Sequence, residues 1–280
     1  MTETHRTATT DITATEAARA AIAGSAARLD GYGFFFDFDG TLSPIGEDPQ
    51  AVVPVPGAVD ALAALVGETA LVAVVSARPV GFLGDRLGHV PGLHLHGLYG
   101  LEYSADGGRT VTTAPEAVPY LPLIARIVDE ARAMFPTALI EDKRLSCALH
   151  YRTTPDLRTA IEEWAAAQAD AYGLKLQHGR MVVELKPPVD TDKGAVVRTA
   201  AQSLSGAWYF GDDLGDLPAY AALDELAGRP GFHAVRVAIA NADGAVVPLT
   251  ERADLRLAAP EQVPPLLRAV LAARHEKLNG

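Results

Sequence analysis

The run Phe34-Phe35-Phe36-Asp37-Phe38-Asp39-Gly40-Thr41 sets two carboxylic acids two residues apart, at the end of the most apolar stretch of the chain. Side chains alternate along a strand, so Asp37 and Asp39 would share a face if the strand persisted through them. A carboxylate can attack phosphorus and form an aspartyl-phosphate. A second carboxylic acid beside it can protonate a leaving alkoxide and then take a proton from water. Gly40 lets the chain turn sharply behind them. Paired surface acids are common, but acids that end a buried strand are costly to bury without partners.

Three other places offer such partners. Ser76 and Arg78 follow a second apolar run, and a hydroxyl there can donate to a phosphate oxygen. Ser76 could equally cap the next helix, with Pro79 near its first turn. Lys193 stands where a helix is expected to begin, so an ammonium would add its charge to free N–H groups that already favour anions. A single lysine is more often a solvated surface group. Asp212, Asp213 and Asp216 follow Trp208-Tyr209-Phe210. Clustered carboxylates suit a hard cation such as Mg²⁺, which would neutralise charge on a reacting phosphoryl group. Helix capping by Asp213 or Asp216 accounts for fewer acids than the turn carries.

These groups need elements to hold them. Apolar runs that end in polar residues predict strands over 33–38, 70–75, 93–97, 207–210 and 234–239, alternating with helices over 56–66, from 192, and over 260–275. That rhythm predicts a doubly wound α/β parallel sheet, whose ligands bind outside the carboxyl ends of the strands. All four groups sit at such ends or at a helix start, so a shared location is expected. Between them the pattern changes. A hairpin over 103–113, around Asp106-Gly107-Gly108, is followed by helices over 115–134 and 155–172. Strands are expected over 138–141, 145–151, 174–178 and 181–186, with a turn at Gly179-Arg180. This reads as an α+β unit, residues 103–190, inserted into a core of residues 31–102 and 191–280. Residues 1–30 form a tail, with a helix expected over 15–29 and disorder in the first dozen positions.

The 280 residues, 49% hydrophobic and 21% charged, suffice for one large core or two modest ones. A net charge of −11 disfavours nucleic acid and anionic membrane as partners. It leaves room for a small phosphorylated molecule in a locally basic or metal-bearing pocket. The single cysteine, Cys147, reads as a small buried hydrophobe. No secretory signal and no run near ~18 apolar residues is visible, so a cytoplasmic location is expected.

Taken together, the four groups resemble the haloacid dehalogenase-like superfamily of phosphatases. Its motifs run Asp-x-Asp-Gly-Thr, then Ser or Thr, then Lys, then paired acids. The resemblance implies a Rossmann-like core with Asp37 as nucleophile and Asp39 as general acid/base. It implies that Thr41, Ser76 and Lys193 hold the phosphate. Asp37, the Asp39 carbonyl and Asp212 would ligate Mg²⁺, with Asp213 and Asp216 in support. The insertion, between the second and third motifs, is similar to the type-2 cap of that superfamily.

Three further runs resemble the trehalose-6-phosphate phosphatases within it: Asp39-Gly40-Thr41-Leu42-Ser43-Pro44-Ile45 with Asp48-Pro49 beyond, Glu141-Asp142-Lys143-Arg144-Leu145-Ser146, and Val183-Glu184-Leu185-Lys186-Pro187-Pro188 running on to Lys193. The second matches that family's Glu-x-Lys-x-x-Ser cap motif. The resemblance implies hydrolysis of a small-molecule sugar phosphate, trehalose 6-phosphate. A monomer is expected, though no residue pattern sets the oligomeric state. Glu141, Lys143, Ser146 and Glu184 would grip the sugar, with His96 and Glu102 as further substrate contacts. One departure stands in the fourth motif, where Gly215 replaces the more usual Thr and removes a hydroxyl near the metal. The alternatives are a phosphatase for another sugar phosphate, sucrose or mannosyl, and a non-catalytic sugar-phosphate sensor that keeps the fold.

Overall fold

The computed structural model describes residues 12–46, 48–179, 181–240 and 246–279. The disorder expected for the first dozen residues falls outside these apart from Ile12, as does Arg180 in the expected turn. In chain order the elements are α1 (Glu16–Ala26), β1 (Tyr32–Phe36), α2 (Ala58–Val66), β2 (Leu71–Val75), α3 (Val80–Arg86), β3 (His94–Gly97), β4 (Glu102–Ser104) and β5 (Thr112–Thr113). There follow α4 (Leu121–Met134), β6 (Leu139–Asp142), β7 (Cys147–His150), α5 (Arg158–Tyr172), β8 (Lys175–Gly179) and β9 (Val182–Lys186). The chain closes with α6 (Lys193–Ala200), β10 (Gly206–Gly211), α7 (Leu217–Ala227), β11 (His233–Ile239), α8 (Val247–Arg252), β12 (Leu255–Leu257) and α9 (Val263–Asn279).

Eight strands form one sheet in the order β12-β11-β10-β1-β2-β3-β4-β5. The six from β12 to β3 are parallel, and β4 and β5 are antiparallel additions. Every residue of β1 and β10 is buried, as central parallel strands require. Alternation splits them between two cores. Phe34, Phe36, Trp208 and Phe210 pack on the face covered by α1, α2, α3 and α9, with Phe36 and Phe210 stacked 4.5 Å apart. Phe35, Ala207 and Tyr209 pack on the face covered by α6, α7 and α8. The chain leaves β1 toward β2 and later returns through β10 on the other side. The break in strand order between β1 and β10 is the place where such sheets bind ligands.

A second, antiparallel sheet, β6-β7-β9-β8, has its own core with α4 and α5 on one face, built around Ile124, Ile127, Leu149, Ile161 and Val183. The hairpin over 103–113 does not belong to it. β4 pairs with β3 through Leu95↔Ser104, His96↔Tyr103 and Gly97↔Glu102, so these strands lengthen the large sheet. The separate antiparallel unit therefore begins after Thr113, later than residue 103. The change of pattern at 103 marks antiparallel pairing, which local sequence cannot assign to one sheet or the other. Pro119 and Pro122 shorten the helix expected from 115, leaving a single 3₁₀ turn before α4. The short α8 and β12 are absent from the sequence expectation; β12 extends the far edge of the large sheet by pairing with β11. Among the described residues no helix is long and apolar enough to cross a membrane.

Candidate active site

β1 ends at Phe36, and the Asp37 N–H still bonds the Phe210 carbonyl, which holds Asp37 at the sheet's carboxyl edge. The chain then turns: the Leu42 and Ser43 N–H groups bond back to the Phe38 carbonyl. Asp39 therefore does not continue the strand face, contrary to the simple alternation. Gly40 makes the turn possible at φ +78°, and a Cβ there would sit 2.0 Å from an Asp212 carboxylate oxygen.

Asp212 directly follows β10, the neighbour of β1. Lys193 is the first residue of α6, whose N-cap Asp192 accepts from the Ala195 N–H at 2.7 Å. Lys193 Nζ lies 2.7 Å from Asp37 Oδ2 and 2.7 Å from Asp216 Oδ1, and all three side chains are buried. Asp216 is fully buried. It also accepts from the Tyr209 hydroxyl at 2.7 Å and from the Asp212 and Asp213 N–H groups at 2.9 and 3.1 Å. Asp216 thus ties the strand-end turn to Lys193. Asp213 is exposed and its carboxylate accepts from Gly215 N–H at 2.8 Å, closing the other half of a capping box. Gly215 takes its place in the turn through its backbone, with no side chain needed.

Asp37, Asp212 and Asp216 place one carboxylate oxygen each within 4.8 Å of one another. Three buried carboxylates face the one Lys193 ammonium. Burial pushes Asp37 well above the usual carboxylate range; Lys193 pulls it down, and Asp216 and Asp212 push it further up. Burial lowers Lys193, but Asp216 and Asp37 outweigh it and hold its pKa well above the ordinary value. The donor set, hard oxygens in excess of local positive charge, fits a divalent cation.

Asp37, Asp39, Ser76, Arg78, Tyr99, Lys193, Asp212 and Asp213 line a cleft of about 320 Å³. Thr41 lies buried behind it, its hydroxyl 3.5 Å from Asp212 Oδ1. The Ser76 hydroxyl accepts from Arg78 N–H at 3.2 Å, so it does shape the turn before α3 while also lining the cleft. Arg78, which the sequence flagged only beside Ser76, is central. Its guanidinium grips Asp39 with a two-pronged bond, Nε at 2.7 Å and Nη2 at 2.9 Å, and rests on the Phe82 ring. Its Nη1 lies 3.6 Å from Glu141 of the small sheet. Tyr99 opens the 99–102 segment, which resembles the junction between core and cap in the trehalose-6-phosphate phosphatases but offered no contact of its own by sequence; its left-handed backbone, φ 59°, is visible only in three dimensions.

The small sheet brings Glu141, Lys143, Ser146 and Glu184 into two groups, neither of which lines that cleft; Glu141 meets it through Arg78. Glu141 bonds His150 Nε2 at 3.0 Å. Burial raises its carboxyl, but that bond and the Lys143 and Arg78 charges win, leaving it below the ordinary range. Glu184 accepts from Ser146 Oγ at 2.5 Å and lies 3.4 Å from Lys143 Nζ. Two candidates lie elsewhere. His96 faces a separate cavity beside His94, Tyr103 and α6, where burial and the nearby His94 push it down to about 4. Glu102, 1% exposed, accepts from the Val80 N–H and from Arg144 and does not line the cleft. Their side chains leave the cleft because β3 and β4 pair with each other, turning His96 to one sheet face and Glu102 into the seam.

A family model described as trehalose-phosphatase matches residues 35–246. A trehalose-phosphate phosphatase of Mycobacterium marinum is 36% identical over 201 residues, covering 68% of this chain and 50% of that protein. One of Mycobacterium tuberculosis is 35% identical over 221 residues, covering 75% and 54%. The chain spans about half the length of the curated relatives it matches. Among solved structures, a trehalose-6-phosphate phosphatase related protein superposes with a TM-score of 0.68 at 21% identity, over 89% of this chain and 100% of that one. A Bacteroides thetaiotaomicron haloacid dehalogenase-like hydrolase superposes at 0.59 and 14% identity, over 86% and 98%. The fold is haloacid dehalogenase-like: the parallel sheet of the core with a separate antiparallel sheet, consistent with a cap.

Proposed function

The chain belongs to the trehalose-phosphatase family, and on that footing we propose that it hydrolyses trehalose 6-phosphate to trehalose and inorganic phosphate through an aspartyl-phosphate on Asp37. The observation that carries the reading is the buried contact between Asp37 and Lys193 at 2.7 Å, on the floor of a cleft that Arg78 links to Glu141 of the antiparallel unit.

Asp37 attacks phosphorus while the bond to the sugar oxygen breaks, and Asp39, protonated on an oxygen that one prong of the Arg78 fork releases, gives that proton to the sugar oxygen. Lys193, Ser76 and Thr41 bind the phosphate oxygens and orient phosphorus for in-line attack. Asp39, now a carboxylate, takes a proton from water, and that water attacks phosphorus to release phosphate and regenerate Asp37. Mg²⁺ held by Asp37, Asp212 and the Asp39 carbonyl, with Asp213 and Asp216 behind, would supply positive charge against the phosphoryl oxygens and keep Asp37 ionised. Residues 114–190 serve as the cap, with Glu141, Lys143, Ser146 and Glu184 meeting the sugar hydroxyls. Such charge-assisted bonds are strong once the cleft closes over the substrate and excludes bulk water. A cytoplasmic monomer goes with this reading.

Phosphate release from trehalose 6-phosphate, glucose 6-phosphate, sucrose 6-phosphate and a mannosyl phosphate, with Mg²⁺ and with chelator, tests it. Trehalose 6-phosphate is expected to be turned over fastest, and only with metal. Turnover no faster than glucose 6-phosphate overturns the substrate, and activity surviving in Asp37→Asn overturns the covalent step.

A further inference from the structure

We propose that Arg144 and Glu102 form a latch that holds the antiparallel unit over the core and thereby positions the sugar-binding residues; the proposal rests on the sugar-phosphatase reading above. Arg144 sits in the turn between β6 and β7, directly after Lys143 and three residues after Glu141. Its Nη1 lies 2.7 Å from Glu102 Oε1 across the seam between the two sheets. The other oxygen, Glu102 Oε2, accepts from the Val80 N–H at 2.9 Å.

Three features separate this contact from an ordinary surface ion pair. Glu102 is 1% exposed, although the Arg144 side chain is 54% exposed, so parting the two strands a buried carboxylate while the guanidinium returns to water. Arg144 holds a left-handed backbone, φ 66°, which arginine rarely adopts, with its own N–H fixed by Asp142 Oδ1 at 2.8 Å. Glu102 also joins two functional loops. Val80 opens α3 just after Ser76 and Arg78, while Arg144 adjoins Glu141 and Lys143. One buried carboxylate therefore ties the phosphate-side loop to the sugar-side turn. Arg144 acts through its neighbours and lines no part of the cleft, which makes it a positioning residue.

The test compares Arg144→Gln, Glu102→Gln and the double variant on trehalose 6-phosphate and on p-nitrophenyl phosphate, a substrate without sugar hydroxyls. The latch predicts that Arg144→Gln raises KM for the sugar phosphate about tenfold, with kcat and p-nitrophenyl phosphate turnover within about twofold. The double variant should be no worse than the worse single variant, because either change breaks the same contact. Arg144→Lys, which keeps the charge, should recover part of the loss. Equal losses on both substrates, additive effects or an unchanged KM overturn the latch. Amide exchange over residues 142–146 in substrate-free protein reads the contact independently. It should quicken in Arg144→Gln, and unchanged exchange also overturns the latch. A wild type that does not favour trehalose 6-phosphate overturns the substrate reading alone, and amide exchange then decides the latch.

Discussion

Asp216→Asn is the substitution whose consequence the structure quantifies best. Two buried carboxylate oxygens accept from four donors: Lys193 Nζ and the Tyr209 hydroxyl on Oδ1, the Asp212 and Asp213 N–H groups on Oδ2. An amide has one acceptor oxygen, so its NH₂ must face two donors whichever way it is turned. Facing Lys193 and Tyr209, it forfeits a charge-assisted bond, worth about 1.5–3 kcal/mol, and leaves a buried hydroxyl seeking a partner. Facing the backbone, it leaves the buried Asp212 N–H and the half-buried Asp213 N–H unpaired, at ~1–3 kcal/mol each. Either way the loss is about 3–5 kcal/mol, a large share of the ~5–15 kcal/mol that folded domains possess. With a urea slope of roughly 3 kcal/mol/M, the unfolding midpoint should fall by about 1–1.7 M. Metal gives the second readout. Saturating wild type with Mg²⁺ near 100 times its Kd should stabilise it by about 2.7 kcal/mol, and the variant, with one carboxylate fewer, by much less at the same concentration. A midpoint within about 0.3 M of wild type, together with undiminished stabilisation by Mg²⁺, would refute the reasoning.

Gly40→Ala puts a methyl 2.0 Å from an Asp212 oxygen on a backbone at φ +78°, so phosphatase activity should drop at least about 100-fold in a Mg²⁺-saturated assay; near-normal turnover contradicts the fit. Arg78→Gln removes the fork that fixes Asp39 and should lower kcat/KM for trehalose 6-phosphate by about 10–100-fold, whereas a change under twofold would show that Asp39 positions itself. His96 ionises at about 4 in the folded protein against an ordinary 6.5, so the unfolded chain binds the extra proton between those values. Stability should therefore fall as pH drops from 6.5 to 4, by at most about 3 kcal/mol from this group. His96→Phe should flatten that part of the denaturation profile, and an unaltered slope would contradict the assignment.

The sequence by itself determined which polar residues end the apolar runs, several of which meet in the cleft, and the elements that carry them. An uninterrupted apolar run ending in Asp37, and a second ending in Asp212, read as buried strands with acids at one edge. The run from Asp192 through Lys193 reads as the start of a helix, and the structure shows Asp192 capping it. These are local patterns, set by burial and by backbone hydrogen bonding. The Glu141, Lys143 and Ser146 run stood out only through the family resemblance, and the structure gathers Lys143 and Ser146 around Glu184. What only the tertiary structure decided is which distant groups neutralise one another. Asp216, equally readable as a mere cap, becomes the partner of Lys193 because β10 lies beside β1 and α6 packs against α7. Arg78 reaches Asp39 and Glu141 only once β2 and the antiparallel unit converge. Glu102 leaves the cleft because β4 pairs with β3, and no local signal says which sheet a hairpin will join. Such placements are set by long-range pairing and charge compensation, which adjacent residues do not encode.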